Sequence, residues 1–288
     1  MRYTLSNSSI TVEIDSFGAE LKSVKKNDTE YMGCGDSKYW GRTSPVLFPC
    51  VGSLKNGCFK TDGREYSMGQ HGFARDMEFS LVSENEASAV FELKSNEETL
   101  KKYPFEFVLK ITYTIKGSTL KIGWEVKNSS EREMYFSIGA HPAFMCPIDG
   151  GKQSDYKFKF DTEKDIEYRL IKDSLLDKSR TYTLPIKGGY AEITPDMFDN
   201  DALIIEGEQA GVISLCRPDG SEYVKVRTDA PLFGLWSPAG KGAPFICIEP
   251  WYGRCDALDF DGDLSEREYS TTLPAGESFE TEYTVEFV

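Results

Sequence analysis

The feature that most constrains this chain is a strict alternation of apolar and polar residues over stretches of about ten residues. Residues 105–115 place apolar side chains at every odd position from Phe105 to Ile115, with polar residues such as Glu106 and Lys110 between them. A period of two is typical of a strand with one buried and one solvated face. Residues 279–287 repeat the pattern, so the chain is expected to build its core from sheets.

Other segments extend this pattern. A turn at residues 116–118 predicts a hairpin between residues 105–115 and a strand whose apolar face runs from Leu120 to Val126. Further strands are predicted at residues 9–14, 87–94, 156–160 and 223–228. Short helices are predicted at residues 96–102 and at 194–198, where Thr194 would be the N-cap and Pro195 the first helical residue. Many strands and few helices predict an all-β fold, a large antiparallel β-sandwich.

The chain shows no internal boundary. No repeat, low-complexity linker or shift of composition divides the 288 residues, and strong strand patterns lie near both ends. All-β folds often reach this size as one unit. We therefore predict a single domain spanning residues 1–288, with a core large enough to need no metal or disulfide.

Charge and cysteine content limit the partners and the compartment. The chain has 33 basic and 47 acidic residues, a net charge of −14, which disfavours nucleic acid and anionic lipid as partners. No apolar run is long enough for a membrane span, and no signal peptide is recognisable. None of the seven cysteines forms a C-x-x-C pair, so they are predicted to be buried, reduced thiols in a cytoplasmic protein.

Only two histidines occur, and both are flanked by small residues. His71 precedes Gly72, and His141 follows Gly139 and Ala140. Small neighbours let a ligand approach the backbone closely. A single histidine is more often a hydrogen-bonded structural residue, but two in the same setting favour a functional role.

Glu249 ends an apolar run that begins at Phe245, and Pro250 holds it extended. A carboxylate at the end of a buried strand usually has an ionic or hydrogen-bonding partner, or a functional role. The alternative is a residue at a strand end that faces solvent or pairs with Arg254. Partial desolvation would raise its pKa, which suits a general base.

Arginines and tryptophans supply candidate substrate contacts. The guanidinium groups of Arg42 and Arg75 suit hydroxyl groups as well as carboxylates or phosphates, although either could form a surface ion pair. Trp40, Trp236 and Trp251 could stack on a sugar face or simply pack in the core.

Other functional motifs are absent from the sequence. It has no phosphate-binding loop, no nucleophile elbow and no dinucleotide-binding glycine motif. The histidines are too few and the cysteines too scattered to predict a zinc site. We therefore predict neither a metal nor a cofactor.

Taken together, these segments resemble the aldose 1-epimerase (galactose mutarotase) superfamily, and within it the LacX-like branch. The resemblance covers nearly the whole chain and lies in ordered blocks: residues 16–21, Arg42 with residues 45–49, residues 71–75, 139–142, 198–203 and 248–251. It implies a twisted supersandwich of antiparallel strands with a sugar cleft on a concave face.

The resemblance also implies roles for individual residues. His141 would be the general acid and Glu249 the general base in a ring-opening interconversion of hexose anomers. Substrate-binding roles would fall to His71, Arg42, Arg75, Asp201 and Trp251. The implied partner is a hexose, possibly phosphorylated, and the protein would be a monomer or a homodimer.

Three alternatives stay open at this stage. A hexose-6-phosphate 1-epimerase would use Arg42 and Arg75 to bind phosphate. A non-catalytic carbohydrate-binding protein would keep the cleft without the reaction. A glycoside hydrolase or lyase is disfavoured, because hydrolysis usually needs two carboxylates across the bond and only Glu249 has a suitable setting.

Overall fold

A computed structural model describes all 288 residues, with 48% of them in strands and 6% in helices, which confirms the all-β prediction. The strands, in chain order, are β1 Arg2–Ser6, β2 Thr11–Asp15, β3 Glu20–Lys26, β4 Thr29–Glu30, β5 Val46–Leu47, β6 Cys58–Thr61, β7 Arg64–Ser67, β8 Ser80–Asn85, β9 Ser88–Lys94, β10 Phe107–Lys116, β11 Thr119–Asn128, β12 Met134–Phe136, β13 Ile138–Ala140, β14 Ala143–Met145, β15 Lys157–Phe160, β16 Ile166–Tyr168, β17 Ile171–Lys172, β18 Leu175–Leu176, β19 Tyr182–Leu184, β20 Tyr190–Glu192, β21 Leu203–Glu206, β22 Val212–Cys216, β23 Glu222–Thr228, β24 Leu232–Trp236, β25 Phe245–Tyr252, β26 Thr271–Leu273 and β27 Ser278–Phe287. The helices are α1 Glu97–Lys102 and four 3₁₀ turns, Lys55–Gly57, Ala74–Asp76, Gln153–Asp155 and Leu264–Glu266.

The largest sheet is antiparallel and has nine strands in the order β20-β15-β22-β23-β27-β11-β10-β9-β8. It contains the long hairpin β10–β11, paired from Phe107 opposite Asn128 to Lys116 opposite Thr119. Strand β27 lies between β11 and β23 and joins the two halves of the sheet. The alternating burial of β10 and β11 places one face in the core and the other towards solvent.

A second sheet carries most of the candidate site. Its strands lie in the order β21-β24-β25-β13-β5, with β14 also pairing with β25. Strand β25 is buried along nearly its whole length, as expected for a strand covered on both faces. A four-stranded sheet, β1-β2-β3-β4, completes the main layers.

The layers share a large apolar core. One continuous cluster of 64 buried residues includes Leu5 near the N-terminus and Phe287 near the C-terminus. Because residues from both ends pack in it, we propose that residues 1–288 fold as one domain.

Most of the local predictions hold. The predicted strands 105–115, 87–94, 156–160, 223–228 and 279–287 correspond to β10, β9, β15, β23 and β27, and residues 9–14 overlap β2. Helix α1 matches the prediction for residues 96–102. The Asn96 side chain accepts hydrogen bonds from the N–H groups of Glu98 and Thr99, and the N–H of Asn96 donates to Oγ1 of Thr99.

The prediction of a helix at residues 194–198 is wrong. This segment forms successive turns, with N–H groups of Met197 and Asp199 bonded three residues back and no continuous helical ladder. Phe198 is anchored in the core, and Asp201 has a φ of 71°, a left-handed conformation that a helix cannot include. Turn geometry therefore overrides the helix-start signal of Thr194 and Pro195.

The cysteines are all free thiols, as predicted, but not all are buried. Cys34 is exposed and Cys58 is partly exposed. No helix has the length and hydropathy needed to cross a membrane.

Candidate active site

Glu249 lies at the centre of the second sheet. Its strand, β25, pairs with β24 so that Gly234 stands opposite Glu249. The side chain is only 1% exposed, and neither carboxylate oxygen has a hydrogen-bond partner within the protein. The alternative role considered from the sequence, pairing with Arg254, does not occur, because Arg254 binds Glu206 and Glu268 instead.

His141 faces this carboxylate from the neighbouring chain segment. It lies between β13 and β14, which both pair with β25. Its backbone N–H donates a hydrogen bond to the carbonyl of Pro45. Its Nε2 atom lies 3.3 Å from Oε2 of Glu249. The structure thus brings together the predicted acid and base, which are separated by more than a hundred residues in the sequence.

Two indole rings hold the imidazole of His141. Trp40 stacks on it with ring centroids 4.5 Å apart at an angle of 30°, and Trp236 contacts it edge-on at 5.2 Å. Because both contacts restrict rotation of the ring, Nε2 keeps its direction towards Glu249. Trp40 and Trp236 therefore position the histidine as well as lining the cleft.

His71 reaches the same place from a strained turn. Its φ of 65° is left-handed, and its ring lies edge-on to that of His141 at 5.6 Å. The N–H of Gly52 donates to its Nδ1 at 3.0 Å. Nδ1 must then lack a proton, so the neutral ring carries its proton on Nε2 and acts there as a hydrogen-bond donor.

The adjacent glycine makes this turn possible. Gly72 has a φ of 70°, and a Cβ at this position would lie 2.2 Å from the carbonyl oxygen of Phe48. No other residue fits without displacing the segment that follows Arg42. The turn and that segment are also joined by backbone hydrogen bonds from Phe73 and Ala74 to Phe48.

Arg42 and Arg75 line the cleft and share one acidic partner. Nη2 of Arg42 donates to Oδ1 of Asp76 at 2.8 Å, and Nε of Arg75 lies 3.8 Å from the other carboxylate oxygen. Nη2 of Arg75 donates to the carbonyl of Gln70 at 2.7 Å. Burial and the neighbouring Arg42 lower the pKa of Arg75. Two guanidinium groups beside one carboxylate leave this side of the cleft electropositive.

The segment that carries Arg42 is fixed by a buried carboxylate. Oε1 of Glu20 accepts hydrogen bonds from the N–H groups of Thr43 at 2.6 Å and Ser44 at 3.0 Å, while Lys22 contacts its other oxygen. The sequence interpretation did not select Glu20 or Asp76 as site residues. Glu20 lies inside a block that carried the family resemblance, residues 16–21, and Asp76 directly follows another, residues 71–75, which was the available signal.

Asp201 and Trp251 close the opposite side of the cleft. Oδ1 of Asp201 accepts a hydrogen bond from the N–H of Ala202, and the residue lines the cleft together with Trp251. The indole of Trp251 lies over two glycines on the flanking strands. A Cβ on Gly139 or Gly234 would come within 2.6 Å or 2.4 Å of its ring.

The cleft enclosed by these residues has a volume of about 360 Å³, within the range of small-molecule sites. All seven predicted site residues line it: Arg42, His71, Arg75, His141, Asp201, Glu249 and Trp251. A larger cavity of about 730 Å³ lies beside β15, β19 and β20. The smaller cleft is the better candidate, because it, and not the larger cavity, contains the unpartnered buried groups of His141 and Glu249.

Burial changes the proton affinity of the central pair in opposite directions. Burial, with a contribution from Arg75, lowers the pKa of His141 to about 3. Burial and the charge of Asp201 raise the pKa of Glu249 well above its ordinary value. The free protein therefore favours a neutral imidazole beside a neutral carboxylic acid, a pair that holds one dissociable proton.

The fold and this cleft define a supersandwich of antiparallel sheets with a buried histidine–carboxylate pair. A sequence model of the family described as aldose 1-epimerase matches residues 1–286, and the chain belongs to that family. The chromosomal and plasmid LacX proteins of Lactococcus lactis subsp. lactis are each 33% identical to it over 284 residues, covering 94% of both chains.

Known structures agree with this assignment. A galactose mutarotase related enzyme from Lactobacillus acidophilus is 36% identical, with a TM-score of 0.95 over 100% of this chain and 97% of that one. A galactose mutarotase-like protein from Lactobacillus casei is 29% identical, with a TM-score of 0.92 over the full length of both chains. The predicted fold and family are thereby confirmed.

Proposed function

We propose that this protein is an aldose 1-epimerase that interconverts the α and β anomers of a hexose. The observation that carries the proposal is the buried contact of 3.3 Å between Nε2 of His141 and Oε2 of Glu249 at the cleft. A paired acid and base is what ring opening of a hemiacetal needs, because one oxygen loses a proton while the other gains one.

In the proposed reaction, Glu249 takes the proton of the C1 hydroxyl while His141 protonates the ring oxygen. The bond between C1 and the ring oxygen breaks, which gives the open-chain aldehyde. Rotation about the C1–C2 bond turns the other face of the carbonyl towards the ring hydroxyl. Closure with the reverse proton transfers then gives the opposite anomer.

The shared proton of the pair fits this sequence. The reactive state has a charged imidazolium and a carboxylate, whereas ring opening leaves a neutral imidazole and a carboxylic acid. Both states hold the same number of protons. Because Nε2 of His141 and Oε2 of Glu249 are only 3.3 Å apart, a proton would move a small distance to convert the neutral pair favoured by burial to the reactive state, without exchange with solvent.

The other cleft residues would hold the sugar. His71 offers an N–H at Nε2, Arg42 and Arg75 offer guanidinium donors, and Asp201 offers a carboxylate acceptor. The indole of Trp251 presents an apolar surface of the kind that packs against a sugar ring. A hexose is the expected partner. The cytoplasmic location and the choice between monomer and homodimer stay predictions.

The test is the optical rotation of freshly dissolved α-D-glucose and α-D-galactose. Wild type is expected to speed equilibration, and Glu249→Gln to lose about 100-fold or more of that rate, the contribution of one placed proton-transfer group. Glu282→Gln, which changes an exposed carboxylate on β27, is the matched control and should behave as wild type. Wild-type rates equal to those of buffer for both sugars would refute simple mutarotase activity.

A second candidate is a hexose-6-phosphate 1-epimerase. The observation that favours it is the pair of guanidinium groups that share only Asp76, because such a pair suits a phosphate group. In that case glucose 6-phosphate would give a higher kcat/KM than glucose, and Arg75→Gln would lower kcat/KM for the phosphorylated sugar alone. Equal values for the two sugars would remove this candidate.

The third possibility is a carbohydrate-binding protein without catalysis. Tight binding of a hexose by both wild type and Glu249→Gln, with no acceleration by either, would identify it. The two unpartnered oxygens of Glu249 speak against this possibility, because burying a carboxyl group without a partner costs stability, and a catalytic role explains why the protein keeps it.

A further inference from the structure

A third donor side chain lies beside the His141–Glu249 pair. Cys247 precedes Glu249 by two residues on β25, so both side chains lie on the same face of the strand. One nitrogen of His141, the sulfur of Cys247 and one carboxylate oxygen of Glu249 all lie within 4.8 Å of one another, and all three residues are buried. The proposed reaction does not use Cys247.

One spacing already matches that of a tetrahedral metal ion, and the sulfur of Cys247 lies within 4.8 Å of the other two ligand atoms. Zn²⁺ binds nitrogen and oxygen at about 2.0–2.2 Å and sulfur at about 2.3 Å, so neighbouring ligand atoms lie about 3.3–3.8 Å apart. Nε2 of His141 and Oε2 of Glu249 are already 3.3 Å apart. The free oxygens of Glu249 would give up no protein hydrogen bond on binding a metal.

The charges suit the buried position as well. Zn²⁺ would displace one proton from the thiol of Cys247 and one from the carboxyl group of Glu249. The resulting thiolate and carboxylate balance the two positive charges of Zn²⁺, while a neutral imidazole adds none. A neutral assembly costs far less to bury than an isolated ion. The cleft lies against His141 and Glu249 and would supply a fourth ligand position for water.

We propose that His141, Cys247 and Glu249 form a Zn²⁺ site, and that bound Zn²⁺ inhibits the enzyme by occupying its acid and base. A set with one thiolate and one imidazole selects Zn²⁺ over Mg²⁺ and Ca²⁺, which prefer oxygen ligands alone. The inhibition rests on the proposed function, whereas the binding does not. The sequence predicted no metal site, because spacing along the chain does not show that Cys247 and His141 lie together.

Binding is tested with Co²⁺, which replaces Zn²⁺ in such sites and absorbs visible light. After dialysis against a chelator, the wild type is expected to take up one equivalent of Co²⁺ and to show a thiolate-to-cobalt charge-transfer band. Cys247→Ser should lose that band and bind Zn²⁺ at least about 10-fold more weakly. Cys216→Ser is the matched control, because Cys216 is equally buried on β22 and should keep the wild-type spectrum.

Inhibition is tested by polarimetry with the same proteins. Zn²⁺ should stop sugar equilibration by wild type and Cys216→Ser, leave Cys247→Ser active at the same concentration, and be without effect when replaced by Mg²⁺. If the serine variant does not fold, Cys247→Ala removes the ligand without adding a buried hydroxyl and is used in both assays.

The site would be disproved by the absence of a charge-transfer band in wild type, or by equal Zn²⁺ affinity in wild type and Cys247→Ser. The two proposals fail separately. If wild type bound Co²⁺ through Cys247 but equilibrated no sugar, the metal site would stand and the epimerase assignment would fall.

Discussion

The backbone N–H of Gly52 donates a hydrogen bond of 3.0 Å to Nδ1 of His71, and this contact fixes which nitrogen of the ring can serve the substrate. Burial, together with His141 and the two cleft arginines, lowers the pKa of His71 well below its ordinary value. The ring is therefore neutral at neutral pH, with its proton on Nε2. His71 is suited to donating a hydrogen bond to a sugar oxygen and unsuited to releasing a proton.

One substitution separates the acceptor role of Nδ1 from the donor role of Nε2 in His71. Asn at this position keeps an acceptor for the N–H of Gly52 and tolerates the left-handed φ, but removes the donor at Nε2. We expect His71→Asn to keep the wild-type melting temperature and to lose about 2- to 10-fold in kcat/KM, the value of one uncharged hydrogen bond. Polarimetric kinetics and thermal unfolding measure the two effects, and an unchanged kcat/KM would show that Nε2 does not contact the substrate.

The pH profile should reflect the neutral His141–Glu249 pair. If Glu249 and His141 titrated independently at their ordinary pKa values of 4.5 and 6.5, the enzyme would be active only between these two pH values. Instead, a second proton adds only near the lowered pKa of His141, about 3, and the single proton is lost only at the raised pKa of Glu249.

We therefore expect kcat/KM to form a plateau that extends on both sides of that interval. Measurement of kcat/KM from acid to alkaline pH, in buffers that do not themselves catalyse mutarotation, tests this. A narrow bell with limbs near 4.5 and 6.5 would show that the two groups titrate as if exposed to solvent.

The free energy of unfolding should depend on pH through the raised pKa of Glu249. Because the pKa of Glu249 is raised in the folded protein, its contribution to stability is complete below pH 4.5 and is lost as pH rises towards the folded pKa. The loss is about 1.4 kcal/mol for each pH unit in that window. Glu249→Gln has no such loss, so its advantage in melting temperature over wild type should grow as pH rises. A difference that is independent of pH would contradict the raised pKa.

Glu20 is expected to act through Arg42. Glu20→Gln loses the charge that accepts the N–H groups of Thr43 and Ser44, and should destabilise the fold by about 2 kcal/mol, the scale of a hydrogen bond to a charged group. KM should rise more than kcat falls, because Arg42 would hold the substrate without touching the reacting atoms. Glu13→Gln, at an exposed ion pair with Arg2, is the control and should change neither quantity. Equal effects of the two variants would exclude a positioning role for Glu20.

The glycines beneath Trp251 give a further test. A Cβ at Gly234 would lie 2.4 Å from the indole, so Gly234→Ala should displace Trp251 into the cleft, raise KM and destabilise the fold by about 1–3 kcal/mol. Gly123→Ala on β11 is the matched control, since its nearest contact would be at 3.9 Å. Thermal unfolding and tryptophan fluorescence would detect the displacement, and wild-type spectra and kinetics for Gly234→Ala would contradict it.

The sequence could predict those elements that are determined by interactions between residues close together in the chain. The alternation in β10 and β27 and the reciprocal cap of Asn96 and Thr99 are decided within a few residues. The turns at residues 195–200 are decided by anchoring of Phe198 in a core assembled from distant strands. No local pattern carries that information, so the helix prediction failed there.

The same distinction applies to the candidate site: some of its residues were recognisable from the local sequence, and others only from the fold. His71, His141 and Glu249 were recognisable because each stands in a distinctive short block. The contact of Gly52 with His71 joins two loops that are far apart in the sequence. The position of Cys247 beside His141 depends on the pairing of β14 with β25. Asp76, which joins Arg42 to Arg75, looked like an ordinary exposed acid until the fold brought Arg42 to it.

The place of β27 in the nine-stranded sheet affects how the protein can be made. This strand, residues 278–287, supplies the hydrogen bonds that join β11 to β23. Residues up to 287 must therefore leave the ribosome before the two halves of the sheet can join, and each half has an open edge until then. The nine-stranded sheet should therefore form as a whole only after β27 has emerged.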